Sequence, residues 1–241
     1  MKGNLDDLFI ESKGYITALE GKRLEGVSHE TGGLLSVSSS KPFFKNLSLT
    51  LQEAHPEAGA PYWRVRSWGL SCWQPIYLAL ICVYHLKKTP DTLDQLHQYQ
   101  EYNYIAGYAL PEGNWFHGEH HDLVSYTASK LTVLFNAYED AHLSLHGGRS
   151  TLYRALLADQ IMDTVLLADP SATIEAMRHE YALWAKHLNL PMTPLDRLQQ
   201  SAEKIRFIRR TCCLHFRRND GDICANCPRQ HKKSQETLCL N

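Results

Sequence analysis

The stretch LTVLFNAYEDAHLSLHGG, residues 131 to 148, carries the clearest structural pattern of the chain. Its apolar and aromatic residues recur at intervals of three and four, which is the spacing of one buried helical face. They are Leu131, Leu134, Phe135, Tyr138, Ala141, His142 and Leu145. Gly147-Gly148 follows, and glycine favours the end of a helix. The stretch therefore predicts a helix that packs against other helices.

Similar helix signals lie on both sides of this stretch. Trp73 to Lys88 is apolar on nearly all sides, which is typical of a buried helix. After Gly147-Gly148 the chain restarts with Ser150, a candidate N-cap, and carries an apolar stripe formed by Tyr153, Leu156, Leu157, Ile161 and Val165. Three dipeptides resemble an N-cap followed by a first-turn proline, and each predicts a further helix. They are Thr89-Pro90, Asp169-Pro170 and Thr193-Pro194.

The first seventy residues show no such periodicity. Gly, Ser and Pro interrupt short segments there, as in HETGGLLSVSSSKP, residues 29 to 42. These residues favour loops and turns. We therefore predict a mainly α fold, namely a helical bundle with an irregular N-terminal region, a possible short hairpin within that region, and a C-terminal cysteine loop. We treat residues 1–241 as a single domain, since this length suffices for one substantial core.

The composition is that of an ordinary globular protein, with 44% apolar and 21% charged residues and a net charge of −1. The beginning, MKGNLDDLFIESKG, lacks the continuous apolar core of a secretory signal. The longest apolar run, PIYLALICVYHL at residues 75 to 86, is shorter than the roughly 20 residues of a membrane span. We expect a cytoplasmic protein with no transmembrane segment. No glycine-rich phosphate-binding motif indicates a dinucleotide site.

Four of the seven cysteines lie in TCCLHFRRNDGDICANCPR, residues 211 to 229. Cys212, Cys213, Cys224 and Cys227 follow the pattern Cys-Cys-x10-Cys-x2-Cys. Disulfides rarely persist in the cytoplasm, so clustered cysteines there indicate metal or redox chemistry. A helix from Pro194 to about Arg210 would place this group just past a helix end. The scattered cysteines are expected to be inert: Cys72 and Cys82 in the core, Cys239 on a terminal tail.

Four thiolates can hold a tetrahedral zinc ion or an iron–sulfur cluster. Cys224-Ala-Asn-Cys227 is the tight hook that structural zinc sites use, but Cys212-Cys213 is not, because adjacent side chains in an extended chain point to opposite sides. A cluster of two irons accepts an adjacent pair more readily. This spacing leaves three interpretations open: an iron–sulfur cluster, a zinc site, or free oxidisable thiols.

Basic residues surround the cysteines. Between Lys204 and Lys233 the chain carries nine Lys and Arg residues and two Asp residues, a net charge of +7. This charge would offset a four-thiolate cluster and attract an acidic electron donor or an anionic substrate. A solvated basic helix end is the plainer interpretation. Nucleic-acid binding is a third, although Phe207 and Phe216 are few aromatics for base stacking.

The segments RRTCC and HFRRNDGDICANCP resemble the C-terminal signature of the FhuF-like ferric-siderophore reductases, whose members hold a [2Fe-2S] cluster with this cysteine pattern. YWRVRSWGLSCWQPIYLAL, residues 62 to 80, is similar more loosely. The resemblance implies that Cys212, Cys213, Cys224 and Cys227 ligate the cluster. It implies no catalytic residue beyond these ligands. We place the iron–sulfur-binding segment at residues 204–233.

The same resemblance implies a cytoplasmic reductase that gives one electron to a ferric siderophore of the hydroxamate or carboxylate type. Such hard oxygen donors suit Fe(III) and hold Fe(II) less tightly, so that a single electron releases the iron. The electron would come from an external donor such as a ferredoxin or a flavin reductase, and no nucleic acid would be involved. The alternatives are a zinc-stabilised adaptor or nucleic-acid-binding protein, and an iron–sulfur electron carrier that does not turn over siderophores.

Three other groups of residues can be interpreted in more than one way. GNWFHGEHHD carries His117, His120 and His121, and we expect a loop and helix start with exposed histidines rather than a metal site. YWRVRSW, if extended, places Arg64, Arg66 and Trp68 on one side, where they could contact a siderophore. The favoured interpretation is buried tryptophans with solvated arginines. Tyr102, Tyr104 and Tyr108 are equally ambiguous.

Overall fold

The computed structural model describes residues 4–24, 33–200 and 205–230. Lys204, Lys232, Lys233 and Cys239 lie outside these ranges, as do the first four residues of HETGGLLSVSSSKP. Helices dominate the described residues, and the mainly α prediction is confirmed. The helices are α1 (Asn4–Tyr15), α2 (Ser40–Ala54), α3 (Gly59–Leu80), α4 (His120–His146), α5 (Ser150–Ala168) and α6 (Ile174–Leu188).

Helix α3 is the centre of the fold. It packs against α2, α4 and α5, and it continues into a π-helical turn, Ile81–Leu86. The predicted buried helix therefore exists but begins at Gly59, fourteen residues before Trp73. The continuous helical segment Pro56–Leu86 is long and apolar enough to cross a membrane, yet 67% of its most apolar window is buried inside the fold. Burial in the core, rather than short length, is what distinguishes this segment from a membrane span.

The prediction for α4 is confirmed. Leu131, Leu134, Phe135 and Tyr138 are all buried, as the periodicity requires. The helix ends at His146, and Gly147 follows with φ 62° and ψ −153°. Residues with a Cβ essentially do not adopt that conformation, so a glycine is required there.

The strands form a small sheet of order β1-β5-β4-β2 and two hairpin-like pairs. In chain order they are β1 (Gly21–Arg23), β2 (Leu34–Leu35), β3 (Lys88–Pro90), β4 (His97–Glu101), β5 (Tyr104–Leu110), β6 (Trp115–His117), β7 (Leu198–Gln200) and β8 (Ile205–Phe207). Strand β1 runs parallel to β5, and the other pairs are antiparallel. Helix α3 packs against strand β5 of this sheet.

The prediction of an irregular N-terminal region is wrong in detail. Helices α1 and α2 occupy much of it, and β1 and β2 pair with β5 and β4 rather than with each other in a hairpin. Helix α2 has a regular buried face formed by Phe43, Phe44, Leu47 and Leu51. This spacing of three and four residues is helical. The serines before the helix favour a loop, and for that reason the sequence pattern did not reveal α2.

Two of the three cap-and-proline signals do not start a helix of the predicted kind. Thr89-Pro90 ends strand β3, where Pro90 closes the pairing with β6. Thr193-Pro194 opens only a short 3₁₀ turn, Thr193–Arg197, and the chain then forms the β7–β8 hairpin instead of a helix to Arg210. In β8, half-buried Ile205 and buried Phe207 flank exposed Arg206, which is the period of a strand.

The third signal, Asp169-Pro170, precedes a real helix, but that helix starts later. Asp169 accepts hydrogen bonds from Ser171 at 3.0 and 2.6 Å and forms a turn. The N-cap of α6 is Thr173, whose hydroxyl accepts from the backbone N–H of Ala176 at 3.2 Å. Competition between an Asx turn and a helix start explains the shift.

Candidate metal centre

The cysteine segment follows a β-hairpin rather than the end of a helix. Strand β8 ends at Phe207, which is buried, and the backbone N–H of Arg209 then donates to the carbonyl of Asn226 at 2.9 Å. This bond joins the start of the segment to its end. The chain between them is a closed loop, so the adjacent cysteines and the Cys-x2-Cys hook come together.

The four sulfurs lie as two pairs. Cys213 Sγ is 2.9 Å from Cys224 Sγ. Cys212 and Cys227 form the second pair, in which the side chain of Cys227 contacts that of Cys212. The hook is a tight turn, since the N–H of Cys227 donates to the carbonyl of Cys224 at 3.0 Å. Each half of the motif thus contributes one sulfur to each pair.

Leu214 supplies the bend at the adjacent cysteines. It has φ 59° and ψ 15°, the left-handed conformation, which costs about 1 kcal/mol for a residue with a Cβ. Its backbone N–H points at Cys212 Sγ, 3.4 Å away, and its side chain packs against the hydrophobic core. That packing offsets the strain, and the bend directs two neighbouring cysteines toward one group.

The thiols are chemically matched to metal binding. Burial and the hydrogen bond and charge of Cys213 raise the pKa of Cys224 to about 12. Burial also raises the pKa of Cys212, and the neighbouring Cys227 and Cys213 add to it. Thiols this close resist ionisation in each other's company, whereas a metal cation among them deprotonates coordinating thiols outright.

The arrangement in pairs bears on which metal group fits. Cys212 interacts with both Cys227 and Cys213, and Cys224 with both Cys213 and Cys227, so the four sulfurs lie in one small region. Four thiolates are the donor set of a [2Fe-2S] cluster, with two for each iron. The donor set therefore fits a [2Fe-2S] cluster.

Two aspartates of α5 hold the loop. Asp159 accepts from the backbone N–H groups of Arg210 and Thr211 at 3.2 and 2.7 Å, and from the Thr211 hydroxyl at 2.5 Å. Burial raises the pKa of Asp159, and these hydrogen bonds counteract part of the rise. The carboxylate accepts from two consecutive loop amides, so it fixes the chain just before Cys212.

One turn along α5, Asp163 binds both ends of the loop. Its Oδ2 accepts from Arg209 Nε and an Arg209 terminal nitrogen at 2.8 and 2.6 Å, and its Oδ1 accepts from Asn226 Nδ2 at 2.8 Å. Burial raises the pKa of Asp163, and the charge of Arg209 opposes that effect. Asp159 and Asp163 lie four residues apart on one helical face, so a single stretch of α5 supports the whole segment.

The far side of the loop rests on the start of α3. Arg217 donates to the carbonyl of Ala58 at 3.2 Å, and the N–H of Asn219 donates to Glu57 at 3.0 Å. Gly221 allows the loop to close, because a Cβ at this position would lie 2.0 Å from the carbonyl oxygen of His215. Contacts within the protein alone therefore fix the loop at both flanks.

An open cleft of about 430 Å³ lies between the loop and α3. One face of α3 forms its floor, with residues at helical spacing: Arg66, Gly69, Leu70, Trp73 and Tyr77. The other side consists of Arg209, His215 and two of the four cysteines, Cys213 and Cys224. Tyr104 of β5 completes the aromatic wall. This volume is within the range of roughly 300–1,000 Å³ that small-molecule pockets occupy.

A search of family models matches residues 209–229 to the family described as FhuF 2Fe-2S C-terminal domain. Residues 209–229 are therefore similar to a 2Fe-2S cluster-binding domain, and the cofactor that this similarity indicates is a [2Fe-2S] cluster. The match covers the loop from Arg209 to the second residue after the Cys-x2-Cys hook. No solved structure matches the chain. The remaining helices are therefore interpreted from their own geometry.

The other candidate residues fall in different places. His120 starts α4 and pairs with Glu180 at 2.9 Å, and His121 is exposed. The helix start and the exposed histidines of GNWFHGEHHD are as expected, but strand β6 occupies part of the expected loop. YWRVRSW is helical rather than extended, which separates its side chains. Trp68 is fully buried, while Arg66 faces the cleft beside the FhuF-type loop.

The three tyrosines also separate. Tyr108 is buried and shares a hydrogen bond of 2.8 Å with Ser12, Tyr102 is 61% exposed, and Tyr104 alone lines the cleft. Sequence reasoning missed the two anchoring aspartates. Their signal was present, because two acids four residues apart interrupt the apolar stripe LLADQIMDTVLL of α5.

Proposed function

We propose that Cys212, Cys213, Cys224 and Cys227 ligate the cluster of the FhuF-type loop. The support is their arrangement in two pairs within a loop that the helical bundle fixes from two sides. A bound [2Fe-2S] cluster supplies one-electron transfer at a potential that nearby charges and hydrogen bonds tune. We also propose that residues 204–233 are a segment within a single domain, 1–241, rather than a separate unit.

We further propose that the protein is a cytoplasmic reductase of ferric siderophores. The observation that carries this proposal is the cleft, which exposes Cys213 and Cys224 to a space large enough for a small chelate. One electron passes to the chelated Fe(III), which becomes Fe(II), and no bond forms between protein and chelate. An external one-electron donor, a ferredoxin or a flavin reductase, restores the reduced state.

The protein's own residues bring the chelate close and keep it oriented. Cys213 and Cys224 lie on the side of the loop that the cleft reaches, so a chelate there contacts the ligands directly. Once the iron is Fe(II), hard hydroxamate or carboxylate oxygens hold it less tightly and it can leave. The protein need supply neither a nucleophile nor a general acid for this reaction.

The test uses anaerobically purified protein reduced with dithionite, freed of excess reductant, and mixed with ferric siderophores beside an Fe(II)-trapping dye. We expect the visible spectrum of the oxidised cluster to return as one Fe(II) is trapped per protein. If no ferric hydroxamate or carboxylate reoxidises the cluster, the reductase assignment is wrong and the electron-carrier alternative remains.

The ligand assignment is tested by replacing single cysteines. Cys213→Ala should abolish the iron and acid-labile sulfide of purified protein, whereas Cys82→Ala should retain both. Cys82 is a suitable control because it is fully buried in the core, where burial raises the pKa of its thiol to about 12. Full iron and sulfide content in Cys213→Ala would contradict the assignment, and zinc without sulfide in the unmodified protein would favour the zinc adaptor.

The nucleic-acid alternative has less support. Phe207 is buried, and the guanidinium of Arg229 lies 4.2 Å from the ring centroid of Phe216. Neither aromatic face in the cysteine region is therefore presented for base stacking. Several of the basic groups are also engaged, since Arg209 pairs with Asp163 and Arg218 with Asp220.

A further inference from the structure

The cleft beside the cysteine loop has a marked chemical bias. Its cationic and polar lining includes Arg66, Arg209, His215 and Gln160. None of the described residues that line it is an Asp or a Glu. Two arginines and a histidine, with no carboxylate among the described lining residues and with low-dielectric aromatic walls beside them, attract anions.

The two arginines of the cleft differ in what they already bind. Arg209 is committed to Asp163 through two hydrogen bonds. Arg66 forms no ion pair with any acid in the parts of the chain that the structure describes, and its guanidinium carbon lies 5.7 Å from the ring centroid of Tyr104. Arg66 is therefore the cation that remains available to a ligand, and its positive charge also helps to lower the pKa of His215 after burial and Arg218.

The aromatic wall beside Arg66 is fixed by a hydrogen bond and by ring contacts. Trp73 Nε1 donates to the carbonyl of Ile105 at 3.1 Å, which fixes the indole. The Trp73 ring centroid lies 6.0 Å from that of Tyr104 and 6.1 Å from that of Tyr77. Such a wall offers a flat apolar surface to the methylene arms of a chelator, while Arg66 offers a planar, charged donor pair that suits a carboxylate.

We propose that this cleft selects negatively charged, carboxylate-bearing Fe(III) chelates and that Arg66 determines this specificity by binding a carboxylate of the chelate. The inference rests on the proposed function and names the substrate class of the same site. The ligand would lie along the Trp73–Tyr104 wall beside Arg66, against Cys213 and Cys224. A neutral trihydroxamate complex would fit the same walls without a partner for Arg66.

The experiment measures binding without electron transfer, so that it is independent of reductase activity. The probes are two Ga(III) complexes, since Ga(III) resembles Fe(III) in its oxygen-donor chemistry and is not reduced under these conditions. One is the anionic complex of a citrate-derived dihydroxamate, and the other is a neutral cyclic trihydroxamate. Quenching of tryptophan fluorescence and titration calorimetry report the affinity of the cluster-loaded protein.

The variants are Arg66→Gln and, as a matched control, Arg178→Gln, which removes an exposed arginine of α6 far along the chain from the cleft. A charge-assisted hydrogen bond is worth about 1.5–3 kcal/mol, which corresponds to roughly 10- to 100-fold in affinity. We expect Arg66→Gln to weaken binding of the anionic complex by that factor and of the neutral complex by less than about threefold. Arg178→Gln should change neither.

Three results would overturn the proposal: unmodified protein that binds the neutral complex as tightly as the anionic one, an Arg66→Gln variant with unchanged affinity for the anionic complex, or equal loss of both complexes in that variant. The visible spectrum and thermal unfolding of each variant verify that the cluster and fold are intact. Reoxidation of reduced protein by ferric chelates is measured separately. If it occurs while one of these three results is found, the reductase function stands and only the assignment of Arg66 fails.

Discussion

The carboxylate of Asp159 accepts both the backbone N–H and the hydroxyl of Thr211, at 2.7 and 2.5 Å, across a separation of 52 residues. Thr211 immediately precedes the adjacent cysteines, so this contact connects the middle of α5 to the first half of the cysteine motif. Since Asp159 is almost fully buried, little water is available to replace it when the side chain is removed.

Asp159→Ala should therefore loosen the cysteine loop. Leaving these part-buried loop amides without their acceptor costs about 1–3 kcal/mol, so iron release to a strong chelator should accelerate by roughly 5- to 150-fold. Asp140→Ala, at an exposed position of α4, serves as the control and should release iron at the unmodified rate. The release of iron is followed by the loss of visible absorbance. Equal rates in the two variants would contradict an anchoring role for Asp159.

Arg209 should set the potential of the cluster. It lines the cleft beside Cys213 and carries a positive charge that stabilises the more negative, reduced state. Arg209→Gln removes this charge and leaves Asp163 without its cation, and both changes lower the reduction potential. Redox titration followed by visible absorbance measures the shift. Arg206→Gln, an exposed arginine of β8, should have a smaller effect because solvent screens it, and a higher potential in Arg209→Gln would be inconsistent with this role.

The buried His142 predicts a loss of stability in acid. Burial, with a small contribution from His146, lowers the pKa of His142 to about 3. The pKa of His142 in the folded state is below its value of about 6.5 in the unfolded state. The stability that the neutral ring contributes is therefore fully present above about pH 6.5 and is lost as the pH falls toward 3. At pH 5 the expected loss relative to pH 7.5 is about 2 kcal/mol.

The variant His142→Leu should lose less of its free energy of unfolding than the unmodified protein between these two pH values. Denaturant unfolding at each pH measures the difference. His146 also has a pKa lowered by burial and by Arg64, and it is present in both proteins, so its contribution and that of acid-labile metal cancel. Parallel pH profiles of the two proteins would show that His142 is not the titrating group.

Two glycines in open surroundings should respond in opposite ways to alanine. Gly147 ends α4 with φ 62°, and a Cβ there meets nothing within 4 Å, so any cost of Gly147→Ala is conformational. We expect a loss of about 1–3 kcal/mol in the free energy of unfolding. Gly14 lies within α1 without a positive φ, and its Cβ also meets nothing, so Gly14→Ala should be neutral or stabilising by up to about 1 kcal/mol. Equal effects in thermal unfolding would refute the left-handed cap.

Local pattern was sufficient to predict α4 and α5, because each has a long apolar stripe with a clear beginning or end. It failed for residues 194 to 210, where Leu195, Leu198, Ile205 and Ile208 fit a helical spacing, whereas Ile205 and Phe207 fit the alternation of strand β8. The choice between the two depends on pairing and on packing against the core, which a window of sequence does not contain.

The candidate site shows the same division. The four cysteines and their spacing identify the loop, since few arrangements of thiols have that pattern. The cleft was not predictable in this way, because the Trp-Arg-Val-Arg order near residue 64 resembles a strand. Once α3 is recognised as starting at Gly59, Arg66, Trp73 and Tyr77 fall on one helical face. The cleft was therefore missed because the start of α3 was misplaced, not because its residue types were uninformative.

None of the four cysteines belongs to the hydrophobic cluster of the bundle, although Cys227 is buried and Leu214 from the same loop packs against that cluster. The packing of α2 to α6 therefore does not depend on the sulfurs, and the loop has its own contacts with α5 and with the turn before α3. We expect the apoprotein to keep its helical content and the loop to accept a cluster after the bundle has folded.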